Sequence, residues 1–300
     1  MRIMQKRTYT KLMLTIIITS LLITPILSAS AKKYDESGII PSYPVTKKVI
    51  KFEESIPISS EVAQMYGYPS DFTGYYTVNV YGVDVGKGVV LIDSGDDDLA
   101  NELYKSVTHA FNKPILAVYL THYHSDHAGG GLCFKNMGIP VYAPENEIWF
   151  IEQGADVGSN IPSDFTYEGY TPIAYNENDL YHRFEVIPEP GHTGGQVSIA
   201  YRHGHTKYLF SADTILPMEP ALDPFDLTYL VTHISALETY SQAPSLTALQ
   251  ILTLNGMIDS VSCYDYILTG HANVMDPTTT VTKIGYTIWV LENLPVLPFM

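Results

Sequence analysis

The chain has 300 residues, 46% of them hydrophobic, and 32 acidic side chains against 17 basic ones give a formal charge of −15. That length holds one sizeable domain with a full core. So acidic a surface repels nucleic-acid phosphates and anionic lipid headgroups, which excludes both as partners and leaves a small-molecule substrate as the expectation.

Arg2, Lys6, Arg7 and Lys11 precede the apolar run 12–27, and Ser28-Ala29-Ser30-Ala31 follows it. A basic start, an apolar core and an A-x-A-like end predict a signal peptide over residues 1–31. The alternative is a membrane anchor, but the run carries several Thr and Pro25 and is shorter than the roughly 20 residues a span needs. The mature protein is therefore expected in a bacterial periplasm or secreted, with no membrane attachment. Losing the four leader charges takes its net charge from −15 to −19. The 23 tyrosines read as wet-edged core and cleft walls. Cys133 and Cys263 are the only cysteines, and they read as two buried thiols rather than a disulfide.

Residues 32–71 are polar and dotted with Pro41, Pro44, Pro57 and Pro69, which predicts an extended lead-in packed along a domain spanning 72–300. Residues 75–81 alternate and 88–92 form a continuous apolar run, so both read as strands. Asp96-Asp97-Asp98 charge the start of a helix running to about Phe111. A buried strand at 115–121, a helix at 127–137, a short strand at 140–143 and a helix near 145–153 follow. Residues 154–178, with Tyr167, Tyr170 and Tyr175, form a long irregular segment of the kind that serves as a lid or binding loop. Strands at 183–187, 196–201 and 207–211 come next, the last two as a hairpin around Arg202-His-Gly-His-Thr206. Helices between 226 and 256, which Pro224 and Pro244 bound or break, lead to a strand at 264–268 and a helix at 278–294. Strands, alternating units, a hairpin, then strand and helix describe a layered α/β protein with helices outside its sheets.

His122-Tyr123-His124-Ser125-Asp126-His127 packs three imidazoles and a carboxylate into one loop after a buried strand. Imidazole nitrogen and carboxylate oxygen are the donors that Zn²⁺ prefers. A strand ending there aims His122 and His124 to one side and leaves Asp126 and His127 to turn toward a second point. Three further groups sit at strand ends beside small residues: His192 in Pro190-Gly-His-Thr-Gly, Asp213 in Phe210-Ser-Ala-Asp, and His271 in Thr269-Gly-His. Loops gathered along one sheet edge are where α/β sites form. No Ser-His-Asp or Cys-His arrangement is evident.

Those motifs, in that order and with Leu91-Ile-Asp93-Ser-Gly ahead of them, resemble the metallo-β-lactamase superfamily over roughly residues 72–272. The resemblance implies an α/β fold, a four-layer αββα sandwich with a metal cleft at one edge. It implies two Zn²⁺ per chain, one on His122, His124 and His192, the other on Asp126, His127 and His271, with Asp213 bridging. Asp93 would orient ligands without touching metal. Three neutral histidines leave one zinc an open position, and two dications sharing a hydroxide bring the pKa of bound water from 15.7 toward roughly 7. Asp126 would assist proton transfer, and His233 would contact substrate.

The expected activity is zinc-dependent hydrolysis of a carboxylic ester, lactone or β-lactam bond. Asp213 stands where the best-known β-lactamase subclass has a cysteine, and resembles the aspartate of thioesterases and lactonases of the family. The alternatives are an iron-dependent redox enzyme of the same fold, a small phosphodiester hydrolase and a non-catalytic metal-binding protein. His109, His182, His203 and His205 read as structural or solvated.

Overall fold

The computed structural model describes residues 40–58, 74–154, 166–176, 180–181, 183–215, 244–271 and 273–293. The expected leader at 1–31, His182 and His233 lie outside the described residues. Two sheets carry the fold. The first has seven strands in the order β1 (Ser42–Pro44), β2 (Val49–Ile58), β3 (Gly74–Asp84), β4 (Val89–Ile92), β5 (Ile115–Tyr119), β6 (Val141–Ala143) and β7 (Ile173–Ala174). The second has four, ordered β11 (Tyr266–Thr269), β10 (Thr206–Ala212), β9 (Val197–His203) and β8 (Phe184–Pro188).

The alternation of side chains along these strands makes the layers. In β4, Val89 and Leu91 point to an outer core with α1 (Ala100–Phe111) and α3 (Gly131–Asn136), while Val90 and Ile92 point between the sheets. In β10, Leu209 joins an outer core with α5 (Pro244–Ser260) and α6 (Pro277–Asn293), while Tyr208 and Phe210 point inward. Helices on both outer faces and two sheets between them give the four-layer αββα sandwich. The strand order β4-β5-β6-β7 is parallel, as βαβ units require. Among the described residues, no helix is long and apolar enough to cross a membrane.

Three sequence expectations are corrected. Residues 49–58 are extended, but they form an integral strand: β2 pairs with β3 from Val49↔Val83 to Ile58↔Gly74, so the sheet reaches back into the predicted lead-in. The helix expected at 127–137 is two short ones, α2 (Ser125–Ala128) and α3, joined at Gly129-Gly130, where Ser94 O and Ser125 O press so close that a Cβ would clash. Both cysteines are free, and Cys263 is exposed rather than buried, since Val261 takes the buried position of its one-turn 3-10 helix.

Four strands end at one edge: β4 at Asp93, β5 before His122, β10 before Asp213 and β11 before His271. The sheets are tied together there. Asn79 N–H donates to Gly270 O at 2.7 Å, and Val197 N–H to Thr121 O at 3.1 Å.

Candidate metal centre

All seven side chains singled out as metal ligands converge at that edge. His122 Nε2 and His124 Nδ1 are 3.0 Å apart, and His192 Nε2 is 2.9 Å from the same His124 nitrogen. Asp213 Oδ2 lies 3.5 Å from His192 Nε2 and 3.1 Å from His271 Nε2, while its Oδ1 is 3.4 Å from His127 Nε2. Asp126 Oδ2 is 3.5 Å from His271 Nε2 and 3.8 Å from His127 Nε2. Three groups therefore bring their donor atoms within 4.8 Å of one another: His122-His124-His192, Asp126-His127-His271, and His122-His127-Asp213 spanning the two.

Backbone conformation aims two of the carboxylates. Asp93 and Ala212, the residues at the ends of β4 and β10, both have positive φ (65° and 43°), a costly region for any side chain beyond glycine. At Asp93 the turn directs the carboxylate back across β5, where Oδ1 accepts from Thr121 N and Oγ1 at 2.8 and 2.9 Å, and Oδ2 faces His127 Nδ1 at 2.9 Å. Thr121 Oγ1 in turn meets His122 Nδ1 at 3.0 Å. One carboxylate thus fixes the rings of two histidines and leaves their Nε2 atoms facing the cluster, as ligand-orienting groups do. His271 Nδ1–H donates to Thr77 O at 2.6 Å with the same result. A Cβ at Gly270 would strike Asp213 Oδ1 and His127, so only glycine lets β11 approach this closely.

The two triads differ electrostatically. Burial holds His122 and His124 well below the ordinary histidine range and takes His192 down to about 4, so all three are neutral with lone pairs available. Burial also opposes charge on His127 and His271. There Asp213, Asp126 and, at His127, Asp93 outweigh it, holding His127 well above its ordinary value and bringing His271 up to about 9. Asp213 is fully buried, which alone would raise it, yet His271 and His127 hold its carboxyl well below the usual range.

Zinc fits this donor set. His127 Nε2 and Asp213 Oδ1 are buried and make no hydrogen bond, an arrangement costly in a protein interior unless a cation satisfies both. Tetrahedral zinc with bonds of about 2.0 Å spaces its ligand atoms about 3.3 Å apart, close to the separations here. A field that stabilises protons on His127 and His271 also stabilises a dication.

Motif reading missed several residues of the centre. Glu147, on α4 (Glu145–Gln153), is fully buried and accepts from Tyr123 N at 3.0 Å, Thr193 Oγ1 at 3.0 Å and Gly195 N at 2.6 Å. It joins the loop of His122 and His124 to the loop of His192, and burial pushes its carboxyl up to about 7 against those hydrogen bonds. Glu54 on β2 is buried beneath Gly95 and accepts from Asp96 N at 2.9 Å; burial pushes its carboxyl well above the usual range. Tyr167, Tyr170 and Tyr175, expected in a lid or cleft wall, instead donate their hydroxyls to the carbonyls of Tyr123, Ala128 and Leu120 at 2.7, 2.6 and 2.7 Å. They brace the metal loop from behind. His109 is exposed on α1, and His205 is exposed in the hairpin tip.

A model of the metallo-beta-lactamase superfamily matches residues 73–253, and the chain belongs to that superfamily. It is 28% identical over 167 residues to a beta-lactamase-like protein 2 homolog of Drosophila melanogaster, covering 53% of this chain and 54% of that one. It is 32% identical over 140 residues to a hydroxyacylglutathione hydrolase of Bdellovibrio bacteriovorus, covering 44% and 45%. The chain thus spans about half the length of these curated relatives. Among solved structures, a metallo-beta-lactamase from Pontibacter korlensis superposes with a TM-score of 0.61 at 17% identity, covering 85% of this chain and 99% of that one, a likeness of fold.

Proposed function

We propose that the chain is an exported dinuclear zinc hydrolase that opens a carboxylic ester, lactone or β-lactam bond in a small molecule. The supporting observation is the convergence of three neutral imidazoles with an acid-rich group through Asp213. His122, His124 and His192 would hold one zinc, and Asp126, His127 and His271 the other, with Asp213 shared. When bound, the zinc pair supplies ionisation of water at neutral pH and polarisation of the scissile carbonyl.

The chain's own groups do the rest. Asp93 and Thr77 fix which ring nitrogen of His127 and His271 faces the cluster. Thr121 does the same for His122. Asp126 would accept a proton at its carboxylate and return it to the leaving group, a role that its being less buried than Asp213 supports. Export rests on residues 1–31, and N-terminal sequencing of the protein from fractionated cells would begin near Lys32.

Turnover of aryl esters, aromatic lactones and nitrocefin, with and without chelator, tests the activity. Hydrolysis is expected to disappear on zinc removal and return on adding back two equivalents. Activity unaffected by complete zinc removal would overturn it.

A further inference from the structure

The outer face of the second sheet is covered unevenly. α5 and α6 lie over it at Leu209 and Ile187. Past the end of α5, toward the tip of the β9–β10 hairpin, the sheet borders a cleft of about 290 Å³. Arg183, Arg202, Lys207, Glu185, Cys263 and Tyr264 line it. Glu185 is the one carboxylate among those lining residues. Asp265, next to Tyr264, is turned to the backbone N–H of Lys207 at 2.8 Å and does not line the cleft.

The three cations sit side by side on adjacent strands. Arg202 and Lys207 are cross-strand partners. Arg202 N–H donates to Arg183 O at 3.1 Å, and Lys207 N–H to Asp265 Oδ2, so both amides point away from each other. The pair is therefore of the non-hydrogen-bonded kind, whose side chains come closest and where like charges destabilise a sheet. β9 and β10 are interior strands, so these charges do not serve to blunt an edge. Arg183 adds a third cation from a backbone φ of 82°, a costly conformation for any residue with a side chain. Elsewhere Lys48 and Lys113 pair with Asp84, Lys51 with Glu53 and Lys105 with Glu102. The cleft cations have no ion pair among the described residues: Arg202 Nε donates to Gly204 O at 3.1 Å, and Arg183 Nη1 meets His203 Nδ1 at 3.4 Å.

We propose that this cleft binds a small phosphomonoester, its phosphate held by Arg183, Arg202 and Lys207 and its neutral body against Ala200 and Tyr264. Three cations against Glu185 leave a local excess of two positive charges, which matches the roughly −2 of a phosphomonoester. Two guanidinium forks present paired N–H donors that fit phosphate oxygens bidentately, and the lysine adds a point charge. A phosphate between Arg202 and Lys207 replaces their mutual repulsion with attraction to a shared anion. The cleft is larger than a phosphate group alone, which leaves room for the body of the ester. A long polyanion would meet the whole chain's charge of −15, whereas a small ester meets mainly the charges within a Debye length of about 8 Å. The seven-residue strand β10 separates the cleft from Asp213 by roughly 20 Å, so the site is distinct from the metal centre and independent of what that centre hydrolyses.

Cys263 is an exposed free thiol in the cleft wall and reports its occupancy. Its alkylation by iodoacetamide in the zinc-loaded full chain is followed by peptide mass spectrometry, which separates it from Cys133. Phosphate bound at the metals, roughly 20 Å away, does not cover this thiol. Glucose 6-phosphate is expected to slow the reaction several-fold at saturation, with half-protection at about 1 mM or below. Glucose should not protect, and gluconate, with a carboxylate in place of the phosphate, should need at least about tenfold more. Inorganic phosphate should protect at a higher concentration than the ester, because it lacks the body that meets Tyr264. In Arg202→Gln and Lys207→Gln the half-protection concentration should rise at least about tenfold. Thermal melting checks that both variants are folded, as the exposed and half-buried positions predict. No protection by glucose 6-phosphate, as when another segment of the chain fills the cleft, overturns the proposal. So does protection that is equal with gluconate or undiminished in both variants. Tighter protection by a polyphosphate chain than by glucose 6-phosphate also overturns it, since the occupant would then be a polyanion.

Discussion

The two ends of the sandwich balance charge in opposite ways. At the end away from the centre, Asp84 accepts from Lys48 Nζ at 2.8 Å and Lys113 Nζ at 2.7 Å. Burial would raise its carboxyl, but the two lysines hold it well below the usual range. At the other end Asp93, Asp126 and Asp213 have imidazoles as their only ion-pair partners among the described residues. Imidazoles, unlike lysines, can give up their protons and present lone pairs, so the same groups that pair with these carboxylates can join them around a metal cation. The difference identifies the end built to receive a cation, and the surroundings of Asp84 as an ordinary closed surface.

Removing a donor tests that contrast most severely. His122→Ala should leave the fold intact, because Tyr119, Leu120 and the carbonyls beneath are still held by packing and by Tyr175. Turnover should fall by about 10³-fold or more, since ligands acting as a unit fail together. Steady-state kinetics beside a thermal melt checks both halves. Asp93→Ala comes next, because it frees the rings of His127 and His122 without removing either donor. Zinc affinity, read by chelator competition, should drop about 10- to 100-fold. Glu147→Gln should follow, with a loss of about 1–3 kcal/mol of stability, because an amide N–H₂ replaces one of the two accepting oxygens and meets the Tyr123 N–H, or the Thr193 and Gly195 donors, head-on. Its zinc affinity should fall less than that of Asp93→Ala. A larger fall would mean the two histidine loops depend on the clamp more than on Asp93.

How much of this was readable without coordinates follows from the range of the interactions. His122, His124, Asp126 and His127 lie within six residues, and His192, Asp213 and His271 each stand at a strand end beside small residues, so local chemistry exposed them. Most strands were legible because apolar runs such as Val89–Ile92 are buried on both faces. Glu147 carries no such signal: it reads as one more acid in the first turn of a helix, and its partners lie 24 to 48 residues away. The tyrosines misled for a related reason. Their phenols are amphipathic enough for a cleft wall, and only the fold shows carbonyls waiting behind the loop. β2 was missed as a sheet member because its Lys51, Glu53 and Glu54 break the apolar pattern; Lys51 and Glu53 pair along the strand, while Glu54 finds Asp96 N only in three dimensions.

The smallest effect belongs to the closed end. Asp84→Asn removes both lysine pairs, and partly exposed pairs of this kind contribute about 1 kcal/mol or less at neutral pH. The sign with pH follows from the direction of the shift. A carboxyl held below its ordinary value of 3.8 stabilises the fold above that pH and loses this contribution as pH falls through the folded-state value. Wild type should therefore melt higher than Asp84→Asn at pH 6, and the gap should close as the pH is lowered below 3.8. Added salt should shrink it at any pH. Zinc affinity should be the same in both proteins, because the far end is separated from the centre by the length of β3 and β4 and by more than a Debye length of about 8 Å at physiological salt. A change in zinc affinity comparable to that of Asp93→Ala would show that the two ends share one electrostatic system.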